Sequence, residues 1–82
     1  MGSVLGFPAI DPQDAVVGAR IRRWRDRRGV AFLDLAAATD LTPEALRRVE
    51  AGRERLDSAR LDAATRVLRL PVWALVSDAP AY

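Results

Sequence analysis

Residues 30–52 read VAFLDLAAATDLTPEALRRVEAG and decide the fold, because they predict two short helices joined by a turn. The first helix is predicted over residues 32–39 and the second over residues 43–51. Thr42 can cap the free backbone N–H groups at the start of the second helix, and Pro43 is tolerated at its first helical position. The stretch therefore predicts a tight pair of helices.

Each of these two helices has an apolar side. Leu35 and Ala36 are the inward residues of the first, where small alanines allow close packing of helices. Leu46 and Val49, three positions apart, are the inward residues of the second. Gly52 then ends the second helix in the C′ position. The arginines between Leu46 and Gly52 are predicted to lie on the outward side.

Three further helices are predicted outside this stretch. The first runs to residue 28, with Asp11 as its N-cap and Gly29 as its C-cap. The fourth begins after Asp57 or Ser58 and ends near residue 68, and a short fifth begins at Pro71. Because no two-residue alternation of apolar side chains occurs, the fold class is predicted as all-α with five helices.

The chain has 82 residues, enough for one compact domain. We expect a short N-terminal arm over residues 1–10, the helical domain over 11–78 and a C-terminal tail over 79–82. The arm lacks the basic segment of a signal peptide, and no run of about 18 apolar residues occurs. The protein is therefore expected to be cytoplasmic and away from membranes.

The composition excludes several chemistries. All 13 basic residues are Arg, and the chain has no His, Cys, Lys or Asn. A His or Cys metal site, a Cys nucleophile and a His general base are therefore excluded. The carboxylates on predicted helices or caps have ordinary structural explanations. We expect neither an enzyme nor a cofactor. These carboxylates are Asp34, Asp40, Glu44, Glu50, Asp57 and Asp62.

The basic charge is concentrated in the middle of the chain. Residues 18–55 hold ten Arg and six acidic residues, a local charge of +4, whereas residues 1–17 carry −2 and residues 56–82 balance. Six of the arginines lie between Arg20 and Arg28. They form either a solvated helix face or an extension of a basic surface that contacts DNA, and the sequence leaves both open.

The order of these elements resembles the lambda-repressor-like helix-turn-helix, the Cro and phage-repressor type of the XRE family. The resemblance spans about residues 17–76 and implies a DNA-binding domain. It further implies an internal ion pair between Arg25 and Glu50, which ties the first helix to the end of the third. The motifs that carry the resemblance are Ile21 with Arg25, Leu35-Ala36, and Val49-Glu50-Ala51-Gly52.

The resemblance implies that the third helix enters the major groove and presents its first residues to the bases. Arg48 is the foremost candidate for base reading, since guanidinium donates two hydrogen bonds to guanine. Arg47 is a candidate for base or phosphate. Glu44 either accepts from cytosine or only favours the positive helix end. Pro43 is limited to shape or thymine-methyl contact.

Phosphate contacts are expected at the start of the second helix and in the loop after the third. The family often has Gln at the position of Phe32, where its amide binds phosphate; an aromatic ring cannot make that bond, and Phe32 is expected to pack on the arm. Asp40 stands where the family usually has Gly, at a left-handed turn. The phosphate-side candidates are Thr42, Arg53, Arg55 and Phe32.

A homodimer is expected, because a two-fold dimer reads two half-sites about one helical turn apart. Trp73 and Val76 are the interface candidates, with core packing as their alternative. Apolar residues of the arm, Val4, Leu5, Phe7 and Ile10, are further candidates.

The sequence thus predicts a dimeric regulator that binds a specific operator in double-stranded DNA and represses transcription there. The alternative is a helix-turn-helix kept for protein contact, such as an antitoxin or an adaptor, with a toxin or another regulator as partner. Phe32, Pro43 and Glu44 on the expected DNA face would suit such protein contact.

Overall fold

The computed structural model describes residues 11–76, which form five helices and, within that range, no strand. The helices are α1 (Pro12–Arg28), α2 (Phe32–Ala38), α3 (Pro43–Glu50), α4 (Ser58–Leu68) and α5 (Trp73–Val76). The all-α prediction is confirmed. The expectations for the apolar residues of the arm and for the tail lie outside the described residues.

The helices begin where short polar side chains cap them. The carboxylate of Asp11 accepts from the backbone N–H of Gln13 at 2.8 Å, and that of Asp57 accepts from Arg60 at 2.8 Å. Such caps satisfy N–H groups that have no partner within the helix. Of the two caps predicted for α4, Asp57 is the one used.

Three predicted helix boundaries differ slightly from the structure. α2 and α3 each end one residue earlier than predicted, at Ala38 and Glu50. α5 begins at Trp73 and not at Pro71. The carbonyl of Pro71 instead accepts from the N–H of Ala74 at 3.0 Å, so a tight turn precedes the short helix.

The core lies where the predicted apolar sides meet. α1 packs against α3, α4 and α5, while α2 packs against α3 and α4. The predicted inward residues of α2 and α3 are all buried, and so is Ile21 of α1. Burial of such side chains drives the packing of the helices. The buried cluster consists of Ile21, Leu35, Ala36, Leu46, Val49, Leu56, Ala64 and Leu75.

Two glycines let α1 lie directly against the end of α3. A Cβ atom on Gly18 would lie 2.1 Å from the carbonyl oxygen of Val49. Gly52 has a φ of +78°, and a Cβ there would lie 2.7 Å from the Cα of Ala15. Since no larger residue fits either place, these contacts fix α3 relative to α1.

The turn between α2 and α3 has the predicted left-handed residue. Asp40 has a φ of +57°, and its side chain is exposed. The hydroxyl of the buried Thr39 beside it donates to the carbonyl of Leu35 at 2.7 Å. The turn therefore leaves no buried hydroxyl unpaired and sends the chain directly into α3.

Within the described part of the chain, no helix has both the length and the apolar character needed to cross a bilayer.

Candidate nucleic-acid interface

The outward side of α3 brings the four predicted base-reading residues together. Ala45, Leu46 and Val49 are buried, which fixes the rotation of this helix against the core. The opposite side is consequently exposed to solvent, and with it Pro43, Glu44, Arg47 and Arg48. Side chains three and four positions apart share one side of a helix, so these residues form one surface.

The start of α3 is held by Thr42. Its hydroxyl oxygen accepts from the backbone N–H of Ala45 at 3.1 Å, and the residue itself is exposed. Pro43 follows at the first helical position, as predicted. The capped N-terminus leaves the side chain of Thr42 at the edge of the exposed surface of α3.

Arg25 and Glu50 form an ion pair at the opposite end of α3. The Nε of Arg25 lies 2.9 Å from Glu50 Oε2, and its second nitrogen lies 3.3 Å from Oε1. The two side chains are 15% and 10% exposed, so the pair is largely out of water. The hydrogen bond to Glu50 raises the pKa of Arg25. This bidentate pair ties α1 to the end of α3.

The ring of Phe32 lies beside two guanidinium groups. The central carbon of the Arg25 guanidinium is 5.4 Å from the ring centroid, and that of Arg47 is 5.7 Å away. Phe32 is half-buried at the start of α2 and also packs against the core. A ring has no polar atom to bind phosphate, so Phe32 is a poor phosphate contact. Its expected packing on the arm lies outside the described residues.

Arg48 has a carboxylate partner. Its Nε lies 2.9 Å from Glu54 Oε1, in the loop that follows α3, and the two side chains are 52% and 37% exposed. A pair this accessible to water is weak and opens easily. Arg48 therefore remains available to a ligand, at the cost of releasing Glu54.

The two loop arginines differ in their surroundings. The guanidinium of Arg55 donates to Asp14 at 2.9 Å and to Asp11 at 2.7 Å, and the hydrogen bond with Asp14 raises its pKa. Arg55 thus fastens the loop to the start of α1. Arg53 is exposed, and within residues 11–76 its guanidinium has no acidic partner. Of the pair, Arg53 is the better placed to meet a phosphate.

The arginines of α1 divide into two groups. Arg20 donates to the carbonyl of Leu75 at 3.3 Å, and Arg28 donates to that of Leu68 at 3.0 Å, so both hold neighbouring helices. Others, including Arg22 and Arg23, are exposed along the outer side of the helix. They line a shallow, open depression together with Ala19, Asp26, Arg27 and Glu50.

The two predicted interface residues lie in different environments. Trp73 is 48% exposed, and the adjacent Val72 is 41% exposed. Val76 is half-buried, packs against the core and lines a cavity with Val17 and Leu61. The surface available to a partner is therefore centred on Trp73, and Val76 mainly supports the fold.

The sequence did not predict the contacts of Phe32, Glu54 and Asp14. The contacts of Phe32 and Asp14 join residues that are distant in the chain, and Glu54 meets Arg48 from the loop after α3, so helical periodicity carries no information about any of them. The close approach at Gly18 did leave a signal, because a glycine inside a helix is unfavourable unless something requires it.

Comparisons with known proteins agree with this architecture. The sequence matches the family described as helix-turn-helix domain over residues 16–74. It is 31% identical over 70 residues to uncharacterized HTH-type transcriptional regulators of Sinorhizobium medicae (strain WSM419) and Rhizobium meliloti (strain 1021). Each match covers 85% of this chain and 50% of the relative, so the chain spans about half the length of these curated relatives.

Two solved structures are similar to most of this chain. The clp gene regulator ClgR from Corynebacterium glutamicum matches with a TM-score of 0.75 and 27% identity, covering 82% of this chain and 71% of that chain. The restriction-modification controller protein C.AhdI from Aeromonas hydrophila matches with a TM-score of 0.69, covering 76% of this chain and 94% of that chain. Its identity of 21% supports the shared fold alone.

Proposed function

The chain belongs to the helix-turn-helix domain family, and we propose that it is a transcriptional regulator of the lambda-repressor type that binds a specific operator in double-stranded DNA as a homodimer and represses transcription there. Family membership supports a regulatory and not an enzymatic domain. The observation that carries the proposal is the outward side of α3, where two arginines stand beside each other on an exposed surface.

Base reading is assigned to this surface because α3 has the dimensions and the exposure of a helix that enters the major groove. Arg48 and Arg47 are the proposed guanine readers, since each guanidinium can donate two parallel hydrogen bonds to one base edge. Glu44 and Pro43 lie at the start of the same surface. Glu44 adds an acceptor for cytosine, and Pro43 adds an apolar contact for a thymine methyl group.

Phosphate contacts position the domain on the duplex. Thr42 and Arg53 are the proposed phosphate residues. Both are exposed, Thr42 just before α3 and Arg53 just after it, so they lie at opposite ends of the base-reading surface. Arg55 can contact phosphate only if it releases Asp14. Phe32 forms no hydrogen bond to phosphate and acts through the arginines beside its ring.

Dimerisation is proposed through the surface around Trp73. A tryptophan that is 48% exposed beside an exposed valine is typical of a residue that packs against a partner. Two copies would read two half-sites and so reach the affinity and specificity that one small domain lacks.

The test is selection of bound sites from random duplex DNA, followed by affinity measurements on the selected site and on a scrambled control at two salt concentrations. We expect an inverted repeat that is bound about a thousandfold more tightly than the control. Sedimentation of the complex should give two protein chains per site. Weak binding that falls steeply with salt and selects no site would contradict the proposal, since it indicates only a basic surface.

A protein-binding role is the second candidate, and the apolar start of α2 favours it. Leu33 is 64% exposed beside Phe32, in a region where phosphate contacts are otherwise expected. An exposed leucine suits contact with a protein such as a toxin or another regulator. The selection experiment separates the two roles, because a protein-binding module would select no DNA site.

A further inference from the structure

Phe32, Arg47 and Arg25 form a group that joins three helices, with both guanidinium groups over the ring of Phe32. The ring of Phe32 belongs to the first turn of α2, Arg47 to the exposed side of α3, and Arg25 to α1. Both guanidinium carbons lie within 6 Å of the ring centroid, at 5.4 and 5.7 Å. This is the distance range in which a cation is attracted to the face of an aromatic ring.

The ring itself is held in place by its packing against the core. Phe32 is half-buried and packs against the hydrophobic core. On one side it meets Arg25, whose own position is fixed by two hydrogen bonds to Glu50. A ring with so little freedom is a rigid support, and the exposed Arg47 rests on it.

A ring contact and an ion pair differ in whether they occupy the N–H donors of an arginine. A ring attracts the guanidinium through its π electrons and offers no oxygen to its N–H groups, so those donors stay free. A carboxylate instead occupies donors, as Glu54 does at the Nε of Arg48. Arg47 is therefore held without being neutralised, whereas Arg48 must first give up a hydrogen bond.

We propose that Phe32 is a positioning residue that orients the guanidinium of Arg47 for base reading. This inference rests on the proposed function. A free arginine side chain loses conformational freedom when it binds a base, and a pre-positioned one loses less, so the ring increases affinity for the correct site. Arg47 is accordingly the pre-organised reader of the pair, and Phe32 sets specificity without touching DNA.

The test is a double-mutant cycle on the selected DNA site with Phe32→Leu and Arg47→Ala. Leucine keeps an apolar side chain on the core but removes the aromatic face. We expect Phe32→Leu to weaken binding about fivefold when Arg47 is present and to have no further effect when Arg47 is alanine. Phe32→Tyr, which keeps the ring, should bind like the wild type.

The matched control is the cycle of Phe32→Leu with Arg48→Ala. Arg48 pairs with Glu54 and does not contact the ring, so the two effects should multiply. If Phe32→Leu weakens binding equally in all backgrounds, the ring has only a structural role and the inference is overturned.

A second measurement needs no DNA. The Nε–H proton of Arg47 should show a ring-current shift in the NMR spectrum of the wild type and of Phe32→Tyr. It should lose that shift in Phe32→Leu or, should that variant unfold, in Phe32→Ile. Absence of the shift in the wild type would overturn the contact between Arg47 and the ring itself. A wild type that selects no DNA site while showing the shift would instead refute the proposed function, and with it the role assigned to Phe32.

Discussion

The arginines of α1 and those of α3 are one residue type used in two ways. Three of the six arginines in α1, Arg20, Arg25 and Arg28, donate hydrogen bonds to carbonyl or carboxylate oxygens of other elements. The two arginines of α3 are exposed. Arg47 lies beside the ring of Phe32, and Arg48 lies beside the carboxylate of Glu54. The number of arginines therefore does not locate a reading surface, whereas their neighbours do.

Among the remaining outward arginines of α1, Arg27 lies over the ring of Trp24, 5.5 Å from its centroid, whereas Arg22 and Arg23 sharpen this difference. Arg22 and Arg23 are exposed along a shallow depression, and no aromatic ring of the described residues lies beside them. Charges of this kind attract any phosphate backbone without distinguishing sequences. We expect α1 to contribute stability and general affinity, and α3 to contribute specificity.

The largest expected effect comes from Arg25→Ala, which breaks the ion pair between α1 and α3. It leaves Glu50, whose side chain is only 10% exposed, without a partner. Removing one partner of such a pair should lower the free energy of unfolding by about 3 kcal/mol. Denaturant unfolding measures it. Arg22→Ala on the same helix is the control, with an expected change within about 0.5 kcal/mol; equal effects would erase the distinction between the two kinds of arginine.

Gly18→Ala tests whether the side of α1 that faces α3 tolerates a larger residue less well than the exposed side does. The added methyl group would meet the carbonyl oxygen of Val49 at 2.1 Å, and the helices must move apart. Alanine is intrinsically better than glycine in a helix by about 1 kcal/mol, so a net loss of about 2 kcal/mol is expected from thermal unfolding. Ala19→Ser, at the exposed neighbouring position, should change little. A more stable Gly18→Ala protein would contradict the close approach of α1 and α3.

Arg48→Ala tests the outward side of α3. Because the bridge to Glu54 is exposed to water, the fold should keep its stability. Binding to the selected site should weaken by about 1 to 3 kcal/mol, as expected for the loss of a contact to guanine. Titration of labelled duplex measures it, with Arg23→Ala as the matched arginine deletion. Unchanged affinity for the site would remove Arg48 from the set of base readers.

The smallest expected effect concerns Asp57, the cap of α4. It serves as a reference for the comparison of α1 with α3, because it changes no arginine of either helix. The backbone N–H and the guanidinium of Arg60 lower the pKa of Asp57 below its usual value of 3.8. A carboxylate with a lowered pKa stabilises the fold above about pH 4, and this contribution is lost as the pH falls through the folded-state pKa. Asp57→Asn does not titrate, so its melting temperature should fall less between about pH 4 and pH 2. Parallel curves for the two proteins would show that the cap does not depend on charge.

Much of the fold could be predicted from the sequence because its signals are local. Asp11, Thr42 and Gly29 act within a few residues of themselves, and the inward residues follow from helical spacing. Arg69 is an exception: it ends α4 with a φ of +58°, a left-handed conformation that arginine rarely adopts and that no residue pattern indicates.

The candidate site was predicted less completely. Its outward residues follow from the rotation of α3, and the Arg25–Glu50 pair follows from the resemblance to the family. The contacts of Phe32 with Arg47 and of Arg55 with Asp14 depend on how separate helices pack, and Arg55 and Asp14 are 41 positions apart in the chain. Side chains brought together only by packing leave no periodic signal in the sequence.

The most direct test of the different roles of α1 and α3 compares two double variants, Arg47→Ala/Arg48→Ala and Arg22→Ala/Arg23→Ala, on the selected site and on scrambled DNA. Both remove two positive charges, so both should weaken binding to scrambled DNA to a similar extent. The α3 variant should lose nearly all preference for the selected site, while the α1 variant should keep the preference of the wild type. A preference that survives in the α3 variant and disappears in the α1 variant would contradict the account.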